Sequence, residues 1–347
     1  MTLAVRYVSA RSLDTAAVIG APPGPGEVEL APAYVGICGT DLHIFHGDMD
    51  ARVQTPAVLG HEMSGRVVRV GPGVEGWRAG DAVTVMPLRW DGSCPACRAG
   101  HQHVCQHLDF IGIDSPGAMQ QRWTVPASTL IRLPDSLALG RAALVEPTAV
   151  AVHDVGRAKV AEGEKAVVVG GGPVGVLIAL VARAAGAEVR VVEPSAHRRL
   201  LAEELGLTVW DPAADDIGAL VGEWTRDAGA DVAFEVSGAA GGVDTAVDVL
   251  GVRGRLCLVA IHPRPREVNL HRFFWRELTL VGARLYDRDD FERAVTLVAD
   301  GTIPAERLIS KVVPLTQAQA AFEALEGGGD VMKILVDCTD NTEGAAA

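Results

Sequence analysis

The sequence predicts an α/β fold: a doubly wound parallel sheet joined to a smaller, mostly β domain. Three observations carry this. From about Glu164 onward, short apolar and β-branched runs alternate with helical stretches, the rhythm of parallel strands linked by crossover helices. Before that point, apolar and polar residues alternate in short segments punctuated by glycine and proline, as in half-buried strands. Between an apolar run and a helical one stands Gly170-Gly-Gly-Pro-Val-Gly175. A chain of 347 residues is long enough for two domains.

The first domain is read over residues 1–150. Glu27-Val-Glu-Leu alternates with period two, as do Gly65-Arg-Val-Val-Arg-Val-Gly71 and Asp81-Ala-Val-Thr-Val-Met, with Gly-Pro-Gly and Ala-Gly-Asp between them. The second domain is read over residues 151–292. Lys165-Ala-Val-Val-Val169 is a buried strand, followed by a helical run to Ala185. Then come the strand Glu188–Val192, the helix Ser195–Leu205, and the strands Asp231–Val236 and Gly254–Val259, with a helical Val243–Leu250 between the last two. Strands hidden on both faces account for a hydrophobic content of 48%. Residues 293–347 return to the first domain. A helix after about Asp290 leaves the sheet, and Lys333-Ile-Leu-Val-Asp is a last strand. The tail Thr339–Ala347 is small and polar and is expected to fray.

Composition excludes several classes of function. A net charge of −13 argues against a nucleic-acid surface, which needs clustered Lys and Arg. The longest apolar run, Ala166 to Ala182, is broken by glycines and is too short to span a bilayer. The N-terminus lacks the pattern of a signal peptide, so a cytoplasmic, reducing location is expected. There the six cysteines read as metal ligands or core residues rather than disulfides. Cys94, Cys97 and Cys105 crowd one loop, Cys257 lies in a strand pattern, and Cys338 has no assigned role.

Gly170, Gly172 and Gly175 form the G-x-G-x-x-G spacing directly after a strand and before a helix. The first glycine makes the tight turn, the second admits a pyrophosphate to the backbone, and the third lets helix and strand pack closely. Pro173 suits the first helical turn, and Val174 completes it. Glu193 ends the next strand. A carboxylate there accepts ribose hydroxyls and repels a 2′-phosphate, which favours NAD over NADP. Arg198 follows within reach of the same ligand; Arg199 alone reads more simply as a solvated helix charge.

A second constellation offers metal ligands. Cys38, within Cys38-Gly-Thr-Asp-Leu-His43, supplies a thiolate, and His61, within Gly60-His-Glu62, supplies an imidazole; both suit zinc. Glu62 binds directly or through water, and Glu146, in Val145-Glu-Pro-Thr148, is a second carboxylate candidate.

These motifs resemble the zinc-dependent medium-chain alcohol dehydrogenases, and most closely their sorbitol, 2,3-butanediol and threonine dehydrogenase branch. Gly36-Ile-Cys-Gly-Thr-Asp-Leu-His43, Gly60-His-Glu-Met-Ser-Gly65, Gly80-Asp-Ala-Val83, Glu146-Pro147, the glycine motif and Asp231-Val-Ala-Phe-Glu235 carry the likeness over nearly the whole chain. The resemblance implies a GroES-like domain housing zinc and a Rossmann domain holding the nicotinamide cofactor. It implies that Cys38, His61 and Glu62 bind a catalytic zinc, with Glu146 at or near the metal through water. Thr40 would hydrogen-bond the substrate hydroxyl, and His43 would pass its proton to solvent through the nicotinamide ribose. Asp41 would buttress His61, and Thr148 would lie near the nicotinamide. Many relatives hold a structural zinc on C-x2-C-x2-C-x7-C. The matching positions here are Asp91, Cys94, Cys97 and Cys105. With the first thiolate replaced, three readings stay open: Asp91 as fourth ligand, one of His101, His103 or His107 in its place, or an empty lobe.

The pocket is expected between the domains, with Phe45, His46, Trp90, Ile111, Met119 and Phe273-Phe-Trp275 as candidate walls. The expected substrate is a secondary alcohol of a small polyol or vicinal diol. L-Threonine-like 3-hydroxy amino acids, cyclitols and aminocyclitols are alternatives. A metal-free quinone reductase, or a non-catalytic NAD-binding protein, is a different class that would have lost Cys38, His61, Glu62 and His43 together. The resemblance further implies a homotetramer or homodimer paired through the edge Leu278-Thr-Leu-Val-Gly282, with no membrane or nucleic-acid partner.

Overall fold

A computed structural model describes residues 2–262, 264–327 and 330–339. The expected fraying of the tail falls on residues 340–347 and lies outside them. The chain divides into two units, Met1–Glu146 with Asp287–Ala347, and Pro147–Tyr286. The sequence reading put these junctions at 150/151 and 292/293. The helix Val145–Arg157 starts where the first unit ends, so the passage lies inside its first turn.

The first unit is built on a seven-stranded sheet. Its main path runs Leu130–Arg132, Ala82–Val85, Glu62–Val70, Glu27–Gly36, Lys333–Asp337, Ile309–Pro314, and Trp123–Pro126 also pairs with Glu27–Gly36. The late strand Lys333–Asp337 enters antiparallel to Glu27–Gly36, with Leu335 opposite Gly36. Residues nearly three hundred positions apart therefore share one sheet. A three-stranded sheet of Ser12–Val18, Thr2–Ser9 and Ala57–Val58 completes the β framework, with a short ladder of Leu88–Arg89 against Asp109–Phe110.

The second unit is a six-stranded sheet in the order Thr208–Trp210, Glu188–Val192, Lys165–Val169, Ala230–Glu235, Leu250–Leu258, Thr279–Gly282, with every neighbouring pair parallel. The doubly wound parallel sheet read from the sequence is present. Val167, Val168, Val191, Val232, Ala233 and Phe234 are fully buried, which is why these strands read as continuous apolar runs. Burying each such valine or phenylalanine contributes about 1.5–3 kcal/mol against chain entropy. The helix Pro173–Ala184 starts with proline in its first turn, where a missing N–H is harmless.

The second unit differs from its sequence reading in detail. The expected helix Val243–Leu250 is Gly242–Asp248, and Leu250 instead opens a strand by pairing with Ala230. A register irregularity after that pair, with Arg253 at positive φ, hid the strand start from its alternation pattern. The helices Ile217–Thr225 and Leu270–Arg276 and the three-residue strand Thr208–Trp210 had no distinct signal of their own. Among the described residues no helix is long and apolar enough to cross a membrane.

Candidate active site

The first unit gathers Cys38, His61 and Glu62, whose potential ligand atoms all lie within 4.8 Å of one another. Each is positioned by its backbone. Cys38 caps the helix Gly39–His46, and its N–H donates to the Asp41 carboxylate at 2.9 Å. His61 and Glu62 stand where the strand Glu62–Val70 begins, after Gly60 at φ +98°, a conformation that favours glycine. Gly36, on the adjacent strand, has no side chain where the Glu62 carboxylate lies, and a Cβ there would collide with it.

The site is buried and crowded with acids. His61 is 2% exposed, Glu62 1%, Glu146 4% and Asp41 0%. Asp41 Oδ1 faces His61 Nδ1 at 3.6 Å, and neither atom has a hydrogen-bond partner among the described residues. Burial opposes charge on His61, but the Asp41 carboxylate, the Cys38 sulfur and Glu146 raise its pKa well above the ordinary value. Burial likewise raises Asp41, against the pull of His61.

One cation answers them. Lys333 Nζ, on the strand that joins this sheet last, donates to both Glu62 oxygens at 2.6 and 2.9 Å and to the Ile37 carbonyl at 3.1 Å. Its own pKa is raised: burial works against it, and Glu62 and Cys38 outweigh burial. Four groups able to carry negative charge thus face one lysine, and the histidine is drawn to hold a proton. A divalent cation would supply the missing charge, and the soft thiolate, borderline imidazole and hard carboxylate together suit zinc. The residues fit the metal. The lysine does not exclude a Glu62–metal bond, because a carboxylate has lone pairs beyond the two engaged. Lys333 was not found from the sequence; a lysine opening an otherwise apolar strand was the available signal.

The other expected residues stand as follows. Thr40 is half-buried in the first turn of the Cys38 helix. His43 is exposed, and its Nδ1 lies 3.3 Å from Asp48. Of the expected pocket walls, Trp90 is exposed, Ile111 and Met119 are buried, Phe45 packs on Phe322, and His46 pairs with Glu326 at 2.5 Å.

Asp91, Cys94, Cys97 and Cys105 form a second cluster, again with potential ligand atoms within 4.8 Å of one another. Backbone N–H groups of Cys97 and Gln106 point at the Cys94 sulfur, and those of Asp91 and His107 at Cys105. Such bonds favour thiolates, and those from Gln106 and Cys97 lower Cys94 to about 7. Cys97, by contrast, is raised by burial to about 12. Three free thiols held around one point, with a carboxylate closing the fourth side, fit zinc. Asp91 Oδ1 accepts from the Ser93 and Cys94 N–H groups, and Oδ2 pairs with His107 Nδ1 at 2.5 Å. His107 therefore touches the carboxylate, while Asp91 stands with the three sulfurs.

In the second unit, Gly170 has φ +108°, and a Cβ on Gly175 would strike the Gly170 carbonyl oxygen. Both glycines are required by this turn. Gly172 caps the helix that Pro173 and Val174 begin, and an added Cβ on Gly172 would lie 3.8 Å from Arg198 Nη1. Glu193 is 3% exposed, and its oxygens accept from the Gly171 N–H at 2.6 Å and the Ser195 N–H at 2.8 Å. A fixed carboxylate thus stands against the glycine turn. Arg199 pairs with Asp211 at 2.8 Å and donates to the Glu193 carbonyl at 3.0 Å and the Pro194 carbonyl at 2.6 Å, so it braces this strand end. Thr148 is fully buried.

The alcohol dehydrogenase GroES-like domain model matches residues 24–135, and the zinc-binding dehydrogenase model matches residues 173–300. The chain is 48% identical to a 2-dehydro-3-deoxy-L-galactonate 5-dehydrogenase of Pseudoalteromonas atlantica, covering 96% of this chain and 98% of the relative. It is 35% identical to an (R,R)-butanediol dehydrogenase of Bacillus subtilis, over 90% and 92%. A zinc-binding dehydrogenase from Sinorhizobium meliloti, solved bound to NADP, matches with TM-score 0.92 and 32% identity over 97% of this chain and 99% of its own. Two ligand clusters, a glycine turn against a parallel sheet and these likenesses agree: the chain is an oxidoreductase of the zinc-dependent medium-chain alcohol dehydrogenase family.

Proposed function

We propose that this enzyme oxidises a secondary hydroxyl of a small polyhydroxylated compound to a ketone, with NAD accepting the hydride. The buried acidic cluster of Cys38, His61, Glu62 and Glu146 carries the reading, because it is built to be completed by a cation. When bound, zinc acidifies a hydroxyl and polarises a carbonyl. Cys38, His61 and Glu62 would hold it, with Glu146 at or near it through water. Asp41 orients the His61 ring from the Nδ1 side, and Lys333 fixes Glu62. Thr40 would steady the substrate hydroxyl. His43 hands the proton to solvent from an exposed position beside Asp48. Asp91, Cys94, Cys97 and Cys105 would hold a second, structural zinc.

Sugar acids and diols head the substrate list, since the two relatives above are named for them. Glu193 supports NAD, since a carboxylate fixed at this strand end accepts ribose hydroxyls and repels a 2′-phosphate. Arg198 and Thr148 remain candidate cofactor contacts. The sheet ends at Thr279–Gly282, where Leu280 is 50% exposed; this edge supports a homodimer or homotetramer.

The test is formation of reduced nicotinamide by zinc-loaded protein. The panel holds 2-dehydro-3-deoxy-L-galactonate, 2,3-butanediol, sorbitol, inositols and L-threonine, each with NAD and with NADP. Turnover of one member with NAD is the expected result. Silence across the panel from protein shown to hold zinc would sink the substrate class, and equal use of NADP would sink the reading of Glu193.

A further inference from the structure

The glycine turn of the second unit lies between two buried carboxylates, and only Glu193 has a part in the function proposed above. On its flank Glu193 takes the Gly171 N–H at 2.6 Å. On the other flank Glu235 ends the strand Ala230–Glu235 with no solvent exposure. Leaving such a group without partners would be costly, and it is fully engaged. One oxygen accepts from the Ser237 N–H at 3.0 Å, the Ser237 hydroxyl at 2.5 Å and the Gly238 N–H at 3.0 Å. The other meets His262 Nε2 at 2.8 Å. Ser237 in turn backs onto the glycine turn: a Cβ added to Gly170 would come within 2.9 Å of its nitrogen. The Val236 N–H donates to the Val169 carbonyl at 2.9 Å, which ties the two strand ends together. All of these residues lie within Pro147–Tyr286.

His262 carries the contact one step further. Arg266 Nε donates to His262 Nδ1 at 3.3 Å. A guanidinium can only donate, so Nδ1 accepts and Nε2 carries the hydrogen given to Glu235. Arg266 Nη2 also reaches the Gly238 carbonyl, at 3.5 Å. These two nitrogens are spent on placing the side chain against the loop that abuts the glycine turn. Among the described residues, Nη1 has no hydrogen-bond partner and no carboxylate pairs with Arg266. A half-buried guanidinium anchored in this way, with one nitrogen free and no counter-charge, is preorganised for an anion.

Its place in the sheet selects the anion. Glu235 ends its strand and His262 follows the next, so both lie at the carboxyl edge that holds the glycine turn. A dinucleotide meets this edge with its pyrophosphate at the glycine turn and its adenosine ribose at the acidic strand end, here Glu193. The pyrophosphate brings further negative charge to a turn already flanked by Glu193 and Glu235, in a protein whose net charge is −13. The N-terminus of the helix Pro173–Ala184 offers only about half a positive charge. On the Glu193 flank stands Arg198, with Nη1 3.8 Å from where a Cβ of Gly172 would lie. On the Glu235 flank the cation within reach of the loop is Arg266. We propose that Arg266, positioned by His262 on Glu235, binds the pyrophosphate of the nicotinamide cofactor on the flank of the glycine turn away from adenosine.

The inference rests on the dehydrogenase reading through the cofactor alone, and its test is binding rather than turnover. With zinc-loaded protein, dissociation constants are measured for NADH by fluorescence and for ADP-ribose and AMP by calorimetry. ADP-ribose keeps the pyrophosphate and lacks the nicotinamide; AMP lacks the pyrophosphate. Arg266→Gln is expected to weaken NADH and ADP-ribose alike, about tenfold, and AMP by less than about twofold. Arg266→Lys should recover part of the loss, and the exposed Arg264→Gln should leave all three ligands within about twofold. His262→Gln, whose amide donates to one neighbour and accepts from the other, should keep most of the NADH affinity, while His262→Leu should lose it as Arg266→Gln does. Unchanged NADH affinity in Arg266→Gln, or an equal loss on AMP, would overturn the proposal. So would a loss on NADH with ADP-ribose unchanged, which would put the guanidinium at the nicotinamide nucleoside instead. A wild type that binds NADH with this pattern in its variants, yet oxidises no alcohol, upholds the subsite and removes the dehydrogenase reading. A wild type that binds neither NADH nor ADP-ribose removes both.

Discussion

The two ligand clusters of the first unit use similar donors and solve opposite problems. Around Cys38 the charge is compensated by side chains: Lys333 on Glu62, Asp41 against His61, with every carboxylate nearly inaccessible. Around Cys94 the compensation comes from the backbone, four N–H groups aimed at two sulfurs, and the fourth ligand candidate is tied to an exposed histidine. Side-chain compensation leaves room for charge to be redistributed when substrate enters. Backbone compensation fixes a loop. The difference supports the proposed division of labour, chemistry at the first cluster and folding at the second.

The sharpest way to break this comparison is to remove one thiolate from each cluster. Cys38→Ser is expected to lower turnover by about a thousandfold or more, while NADH affinity holds and the melting temperature moves little. Equal loss of turnover and NADH binding would make Cys38 structural. Cys97→Ser should do the reverse. Zinc should fall from about two per chain to about one, and the melting temperature by roughly 5–15 °C, while low-temperature turnover falls far less than in the first variant. One zinc per chain in the wild type, all of it at Cys38, would mean that the backbone-lined loop folds without metal.

Lys333 tests the side-chain half of the comparison. Lys333→Met strands a buried carboxylate, and breaking such a pair costs about 3–5 kcal/mol. The double variant Lys333→Met with Glu62→Gln should regain much of that in denaturant unfolding. No regain would mean that the lysine answers the whole acidic cluster rather than Glu62 alone, as the contributions of Cys38 and Glu146 to its pKa allow.

What was legible in the sequence divides along the same line. Cys38, His61 and the glycine turn announce themselves because each sits in a short motif whose spacing is the chemistry. The parallel strands announce themselves because burial on both faces demands unbroken apolar runs. Lys333 did not, because its partner Glu62 is 271 positions away and only sheet pairing brings them together. His262 and Arg266 escaped for a related reason: they follow a strand whose start was masked by an irregular register, and the buried Glu235 that orders them reads, in sequence, as the polar end of an apolar strand. Local patterns encode elements and motifs; compensating charges are chosen by the finished fold.

The smallest expected effect concerns His107. The Asp91 carboxyl is held well below the ordinary carboxylate range, first by His107 and then by the Cys94 and Ser93 N–H groups, and His107 is raised in return. The signs bracket a window. A depressed carboxyl stabilises the fold above its ordinary pKa and loses that contribution as the pH falls. A raised histidine stabilises below about 6.5, its ordinary value, and loses the contribution as the pH climbs past it. Their pair therefore contributes most between about pH 4.5 and 6.5. His107 is 72% exposed, so screening keeps the effect small. His107→Ala should lower the melting temperature by only a degree or two inside that window and by less on either side, with zinc retained. Loss of zinc at every pH would instead make His107 the fourth ligand. The lobe would then be held by an exposed side chain, and its contrast with the buried cluster would rest on the three sulfurs alone.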